Sequence, residues 1–424
     1  MSHFRYIDGV MHADAVPLTA IACEVGTPFY CYSVTAFEEQ FKQFSNAFSD
    51  TDSLVCYAMK ANSNQAVLKT LAALGSGADV VSLGELKRAI AAGIPASRIV
   101  FSGVGKTDAE IDYALDQGIH CFNVESLPEL EALSSRAATL GKIAPISFRI
   151  NPDVDAKTHA KISTGKKEDK FGISWEDAQS AYQKAAELPG LRVAGIDMHI
   201  GSQITDLQPF DDAFRLLAEL VQTLRSDGHE IEHVDVGGGL GVTYKQDNNP
   251  PPSVEAYAQV VKRHIQPLDL KLIFEPGRSL AGNSGILVSE VIFVKHGDAK
   301  NFVIVDAAMN DLIRPTLYEA WHDVLPVHEA RKDAEWMTAD IVGPVCESGD
   351  FIAQNRKLPA LHRGETIAVM TAGAYGAVQS GTYNTRQLIP EVLVKGDEFH
   401  VVRKRLSHED IIALDELAPW QAQA

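Results

Sequence analysis

SLVCYAMKANSNQAVLKTLAALGSGADVVS, residues 53–82, decides how the chain is read. Leu54 to Met59 are apolar or β-prone without a polar alternation, the pattern of a strand covered on both faces. Asn62, Ser63 and Asn64 then break the run with side chains suited to cap a helix. NQAVLKTLAAL places its apolar residues three and four apart, as one face of a helix requires. GADVVS, 77–82, opens a second strand. Strand, loop, helix and strand in that order is the connection that parallel pairing needs. Lys60 stands at the end of the first strand, the one charge in an otherwise uncharged run.

The same unit recurs downstream. RIVFSG (98–103), HCFNVES (120–126), PISFRIN (145–151), VAGIDMHIGS (193–202), HVDVGGG (233–239) and KLIFEPGR (271–278) read as further strands. LGELKRAIAAG, TDAEIDYALDQG and DDAFRLLAELVQTLRSDG are among the helical segments between them. Eight strand-then-helix units point to an α/β fold, a closed (β/α)8 TIM-type barrel over 36–282. The proline run at 250–252 falls between the seventh strand and its helix.

Beyond residue 283 the texture changes. SGILVSEVIFVK, NFVIVDAAM, WMTADIVGP, ETIAVMTAG and EVLVKGDEFHVVRKR are β-prone without long helices between them. FRYIDGVMHA and PFYCYS, near the start, read as strands with no helix signal beside them. The expectation is an all-β domain, sandwich- or barrel-like, assembled from 1–35 and 283–424.

Composition bounds the partners. The 424 residues carry a formal net charge of −18, which argues against nucleic acid or an anionic membrane as the main partner. No run is long and apolar enough to span a bilayer, and the N-terminus has no signal-peptide pattern. Five scattered cysteines without a CxxC pair give no metal site and fit reduced thiols in a cytoplasm.

A barrel carries its active site at the C-terminal ends of its strands. Lys60 is there on strand one, and desolvation would turn its ammonium toward a nucleophilic amine. His199 and Ser202 end strand six, Gly237 to Gly241 follow strand seven, and Glu275 to Arg278 end strand eight. Glycines let backbone N–H groups approach an anion, and the loops after strands seven and eight often hold phosphate. A phosphorylated aldehyde that bonds a lysine is pyridoxal 5′-phosphate. Its ring nitrogen asks for a carboxylate, for which Glu275 is placed, and its ring for a flat neighbour, for which His199 is placed. Taken singly, Lys60 is also a lysine reaching to the rim, His199 a core or capping histidine, and Glu275 an ion-pair partner of Arg278.

The motifs YAMKAN (57–62), HAKISTGKKEDKFG (159–172), HIGSQI (199–204), DVGGGLG (235–241), EPGR (275–278), RPTLYEAWH (314–322), GPVCESGD (343–350) and GAYG (373–376) resemble those of the fold-type III pyridoxal-phosphate-dependent decarboxylases. The resemblance covers nearly the whole chain. It implies that Lys60 carries the cofactor, His199 stacks on its ring and Glu275 pairs with its nitrogen. Ser202, Gly239, Gly277 and Arg278 would hold the phosphate, with Tyr375 closing over it and Asp79 auxiliary. Arg278, Arg314, Tyr318, Glu347 and Tyr375 would bind substrate, and Cys346 would donate a proton. The implied reaction is decarboxylation of meso-2,6-diaminopimelate to L-lysine, in a homodimer with shared active sites. Ornithine, arginine or carboxynorspermidine decarboxylation is the alternative, and a non-catalytic cofactor carrier a more distant one. The residues themselves leave Cys346 as either a small buried hydrophobe or an acid, and Arg314 as either a helix-capping cation or a fork for a carboxylate.

Overall fold

The structure, a computed structural model, describes residues 3–155, 170–247 and 250–421. It divides into two compact units, 37–281 and 1–36 with 282–424.

Unit 37–281 is built on eight parallel strands: β1 (Ser53–Ala58), β2 (Gly77–Val80), β3 (Ile99–Phe101), β4 (Cys121–Val124), β5 (Ala144–Asn151), β6 (Leu191–Asp197), β7 (His233–Asp235) and β8 (Lys271–Phe274). Each pairs with the next, and β8 returns to β1 through Leu272 opposite Ser53, so the sheet has no edge. Closure explains the unbroken apolar strands: one face fills the barrel and the other is covered by helices. Five of the barrel helices begin where the sequence offers a cap. The side chains of Asn64, Ser82, Thr107, Ser126 and Ser253 each accept a hydrogen bond from an N–H of the first helical turn. Only a four-residue helix, Arg278–Ala281, follows β8. The long helix Val34–Ala47, which precedes β1, fills the missing place. Phe44 meets the Phe274 ring edge-on at 5.5 Å between centroids, and Phe48 lies 4.1 Å from it.

Lys60 is not quite a strand residue. β1 ends at Ala58, and Met59–Ala61 form one turn of 3₁₀ helix that carries the amine past the strand end.

The other unit is a sheet-rich domain. One of its interior strands is Phe29–Ser33, antiparallel to Gly285–Lys295 on one side and parallel to Glu391–Lys395 on the other. The N-terminal segment is thus woven into a sheet made otherwise from the last third of the chain. Phe29, Cys31, Ile286, Val288, Ala368, Val392 and Val394 form its core with Phe4, Met11, Leu18 and Ile21. The N-terminal segment also departs from expectation: Leu18–Val25 is a helix. Its two buried residues, Leu18 and Ile21, are three apart and face that core, a signal too short to stand out among strands. The strand Phe351–Pro359, paired with Trp336–Val342, was also not anticipated, because its exposed positions carry Gln354, Asn355 and Lys357.

Candidate active site

The 3₁₀ turn after β1 places Lys60 Nζ 2.6 Å from Asp79 Oδ2, on β2. Asp79 is fully buried, while two fifths of the Lys60 side chain is exposed, so the amine faces outward from a fixed counter-charge. Asp79 Oδ1 has no hydrogen-bond partner among the described residues, which leaves an unmatched acceptor beside the amine.

Glu275 follows β8 and is buried. Its Oε1 accepts from Ser102 Oγ and from Asn123 Nδ2, both at 3.2 Å. Ser102 and Asn123 come from the ends of β3 and β4, so two strands across the barrel fix one carboxylate. Asp197 and Asp235, at the ends of β6 and β7, lie with it in a buried cluster whose oxygens fall within 4.8 Å of one another. Burial pushes the Glu275 carboxyl well above the usual carboxylate range, Asp235, Asp79 and Asp197 push further, and Lys60 acts the other way. Burial, then the Asp235 charge, raises Asp197 in the same way, and burial lifts Asp235 to about 7. Like charges this close in a dry interior cannot all ionise. The cluster therefore keeps a proton at neutral pH, and a basic nitrogen set against Glu275 would share it.

His199 ends β6. Its Nδ1 accepts from the Gly238 N–H at 3.1 Å, which puts the ring proton on Nε2. Burial, followed by the Arg149 and Lys60 charges, pushes its pKa well below the usual histidine range, so the ring is a neutral plate. Gly237 is required there, since a Cβ would lie 2.8 Å from His199 Nδ1.

The loops after β6 and β7 are stitched together. Ile204 N–H donates to Gly239 O, and Gly241 N–H to Ile204 O. Gly239 sits at φ 105° and a Cβ would come 2.5 Å from Gly201 O, so only glycine fits. Arg278 donates from Nη2 to Ser202 Oγ at 3.0 Å and from Nη1 to Tyr244 Oη at 2.5 Å. It is Ser202 and Tyr244 that Arg278 holds, while Glu275 turns to Ser102 and Asn123.

Five further expected residues lie in the sheet unit: Arg314 and Tyr318 on one short helix, Cys346 and Glu347 on a loop tied to it, and Tyr375 on a third segment. Arg314 opens the short helix Arg314–Tyr318 and is buried. A cation at a helix start does not cap a C-terminus, which removes that reading of Arg314. Cys346 and Glu347 are exposed in the loop after Trp336–Val342, so Cys346 is not a buried hydrophobe. Asp350 shapes this loop by accepting from the Val345 and Met309 N–H groups, both at 2.6 Å. Thr316 Oγ1 donates to Gly349 O, which ties the Arg314 helix to the Cys346 loop. Tyr375 has φ 57°, the left-handed conformation that a bulky residue adopts only where its surroundings demand it.

Most of the 159–172 motif, and most of the loop at 155–170, lies outside the described residues. The sequence reading did not single out Ser102, Asn123, Asp197, Asp235 or Tyr244. The first four do lie at strand ends, where a barrel puts its working groups. Tyr244, in a loop, carries no such signal.

The barrel residues fit pyridoxal phosphate. They offer an outward amine with a buried counter-ion, a proton-retaining carboxyl, a neutral imidazole plate, and a rim whose glycines leave no room for a Cβ.

Residues 34–282 match a family model described as the pyridoxal binding domain of pyridoxal-dependent decarboxylases. The chain is 50% identical over 423 residues to a diaminopimelate decarboxylase of Zymomonas mobilis, covering 99% of this chain and 100% of that one. It is 51% identical over 422 residues to a diaminopimelate decarboxylase of Vibrio cholerae, with 99% and 100% covered. Among solved structures it resembles the Helicobacter pylori diaminopimelate decarboxylase complexed with L-lysine, at a TM-score of 0.90, 42% identity, and 94% and 98% coverage.

Proposed function

The chain belongs to the diaminopimelate decarboxylase family, and on that premise we propose how its residues divide the work of taking meso-2,6-diaminopimelate to L-lysine and CO2, the last step of lysine biosynthesis. The observation that carries this reading is a likeness that runs through both units, since cofactor and substrate residues are split between them. The cofactor is pyridoxal 5′-phosphate. Bound, it supplies the electron sink for the pair left by the departing carboxylate.

Lys60 is the amine that tethers the cofactor aldehyde, and Asp79 fixes its position through the 2.6 Å contact. Glu275 holds a proton at the ring nitrogen, with Ser102 and Asn123 keeping its carboxyl in place. His199, neutral and pinned by Gly238, offers its face to the ring. Ser202, Gly239, Gly277 and Arg278 hold the phosphate end, and Tyr375 closes over it. Arg314, with Arg278, Tyr318, Glu347 and Tyr375, binds substrate, because a guanidinium fork suits the second amino-acid head of this molecule. Cys346, exposed on its loop, delivers the proton that replaces CO2.

The working unit we propose is a homodimer in which each site takes Cys346 and Glu347 from the other subunit. Among the described residues no helix is long and apolar enough to cross a membrane, and we place the enzyme in the cytoplasm. Incubation with meso-diaminopimelate and product analysis tests the whole reading. L-lysine and CO2 are expected. Turnover of ornithine or arginine in preference, or cofactor binding without turnover, would overturn it.

A further inference from the structure

His322 lies eight residues after Arg314 and is fully buried. Its Nε2 is 3.1 Å from Arg314 Nη1. An arginine can only donate, so Nε2 must offer its lone pair. The ring proton is then on Nδ1, which lies 2.9 Å from Met370 O and donates to it. Both contacts demand the same neutral tautomer, and a second ring proton would turn Nε2 from acceptor into a donor facing a guanidinium. The anchor is itself fixed. Met370 N–H donates to Asp323 O at 2.8 Å, so residues 322 and 323 are clipped to the end of the strand Thr366–Val369 from both sides.

We propose that His322 is a positioning residue for substrate choice: it holds the Arg314 guanidinium in the plane from which Arg314 takes the carboxylate of the substrate's non-reacting end. The inference rests on the reading of Arg314 as the substrate clamp. A guanidinium binds a carboxylate as a planar fork, so its rotation about the side chain decides whether one or two bonds form. Arg314 stands at the start of a five-residue helix whose next residue is Pro315, and that short element fixes the backbone but not the end of a long side chain. The bond to His322 adds a constraint on the guanidinium itself, from a group that is buried and tied to the sheet.

Two variants separate the roles of the two ring nitrogens. His322→Asn keeps a donor near the Nδ1 position for Met370 O and loses the acceptor for Arg314. His322→Gln carries an acceptor that reaches toward the Nε2 position. The product L-lysine retains the carboxylate of the non-reacting end, and cadaverine, the same diamine without it, does not. In the holoenzyme, His322→Asn should raise KM for meso-diaminopimelate about tenfold and weaken L-lysine inhibition to a similar extent, with kcat near wild type. Cadaverine inhibition should stay at its wild-type value, and His322→Gln should recover most of the loss. Equal weakening of lysine and cadaverine, or of neither, would show that His322 only ties its loop to the sheet. Arg314→Ala is the control for the underlying reading. If it leaves the ratio of lysine to cadaverine affinity unchanged, Arg314 is not the clamp, and the inference falls with it. If it collapses that ratio while His322→Asn does not, the inference alone falls.

Discussion

At the scale of single residues the barrel does two things with charge. It leaves one amine at the rim opposite a buried carboxylate, and it crowds three acids where only some can ionise. Glu275→Gln should keep the fold and the bound cofactor but reduce kcat by about a hundredfold, because an amide cannot hold the ring-nitrogen proton as a carboxyl does. Turnover near wild type, with cofactor absorbance intact, would remove Glu275 from that role. Asp235 offers a test without activity. Its carboxyl is raised to about 7, whereas an unfolded aspartate titrates near about 3.9. The folded chain binds this proton more tightly, so the stabilisation is complete below about pH 4 and is lost as pH rises toward 7. Asp235→Asn removes that dependence. Thermal melts of the apoprotein should show the variant losing less Tm than wild type between about pH 5 and about pH 8. Parallel losses would mean that Asp235 is ionised throughout.

At the scale of elements the strand ends and the loops after them set the geometry. The loops after β6 and β7 grip each other through Ile204, Gly239 and Gly241, and the glycines are there because other backbones pass where a Cβ would go. Gly239→Ala would force a Cβ to within 2.5 Å of Gly201 O at φ 105°. The loop would shift, and the affinity for pyridoxal phosphate should fall about tenfold or more. Absorbance titration of the apoprotein with the cofactor reads this directly. Unchanged affinity would show that the cradle lies elsewhere on the rim. Much of this layer was legible in the sequence. All eight barrel strands are legible as apolar runs, because burial on both faces leaves a strong one-dimensional signature, and four of the helices between them are legible from their spacing. The helix Leu18–Val25 and the strand Phe351–Pro359 are not, since two buried residues or a half-polar strand leave a weak signature.

At the scale of the whole molecule the proposed assembly predicts complementation. Lys60 belongs to the barrel unit and Cys346 to the sheet unit, far along the chain. If each site draws Cys346 from the other subunit, a two-fold dimer contains two equivalent shared sites. Lys60→Ala should abolish turnover, and Cys346→Ala should lower it by about a hundredfold or more. Unfolded and refolded together, the two variants should recover activity. Half the dimers formed at random are mixed, and a mixed dimer has one intact site, so recovery should approach about a quarter of wild type. Subunits shown to exchange, yet regaining nothing, would place Cys346 in the site of its own chain.

The sequence by itself determined the barrel, the sheet-rich domain and the cofactor, because each left a local mark in an apolar run or a glycine cluster, and it pointed to the reaction through the resemblance of ordered motifs such as YAMKAN and EPGR to those of a known family. Tertiary structure alone decided what those residues meet. Glu275 has Arg278 three positions away in the chain, yet it accepts from Ser102 and Asn123, brought to it by barrel closure from more than a hundred residues away. The proton kept among Asp197, Asp235 and Glu275 has the same origin. Each acid reads alone as an ordinary carboxylate, and only a closed, dry barrel sets three of them within reach of one another. His322 differs again: it is close to Arg314 in sequence, but the tautomer that makes it an acceptor is set by Met370, which only the fold places at its other nitrogen.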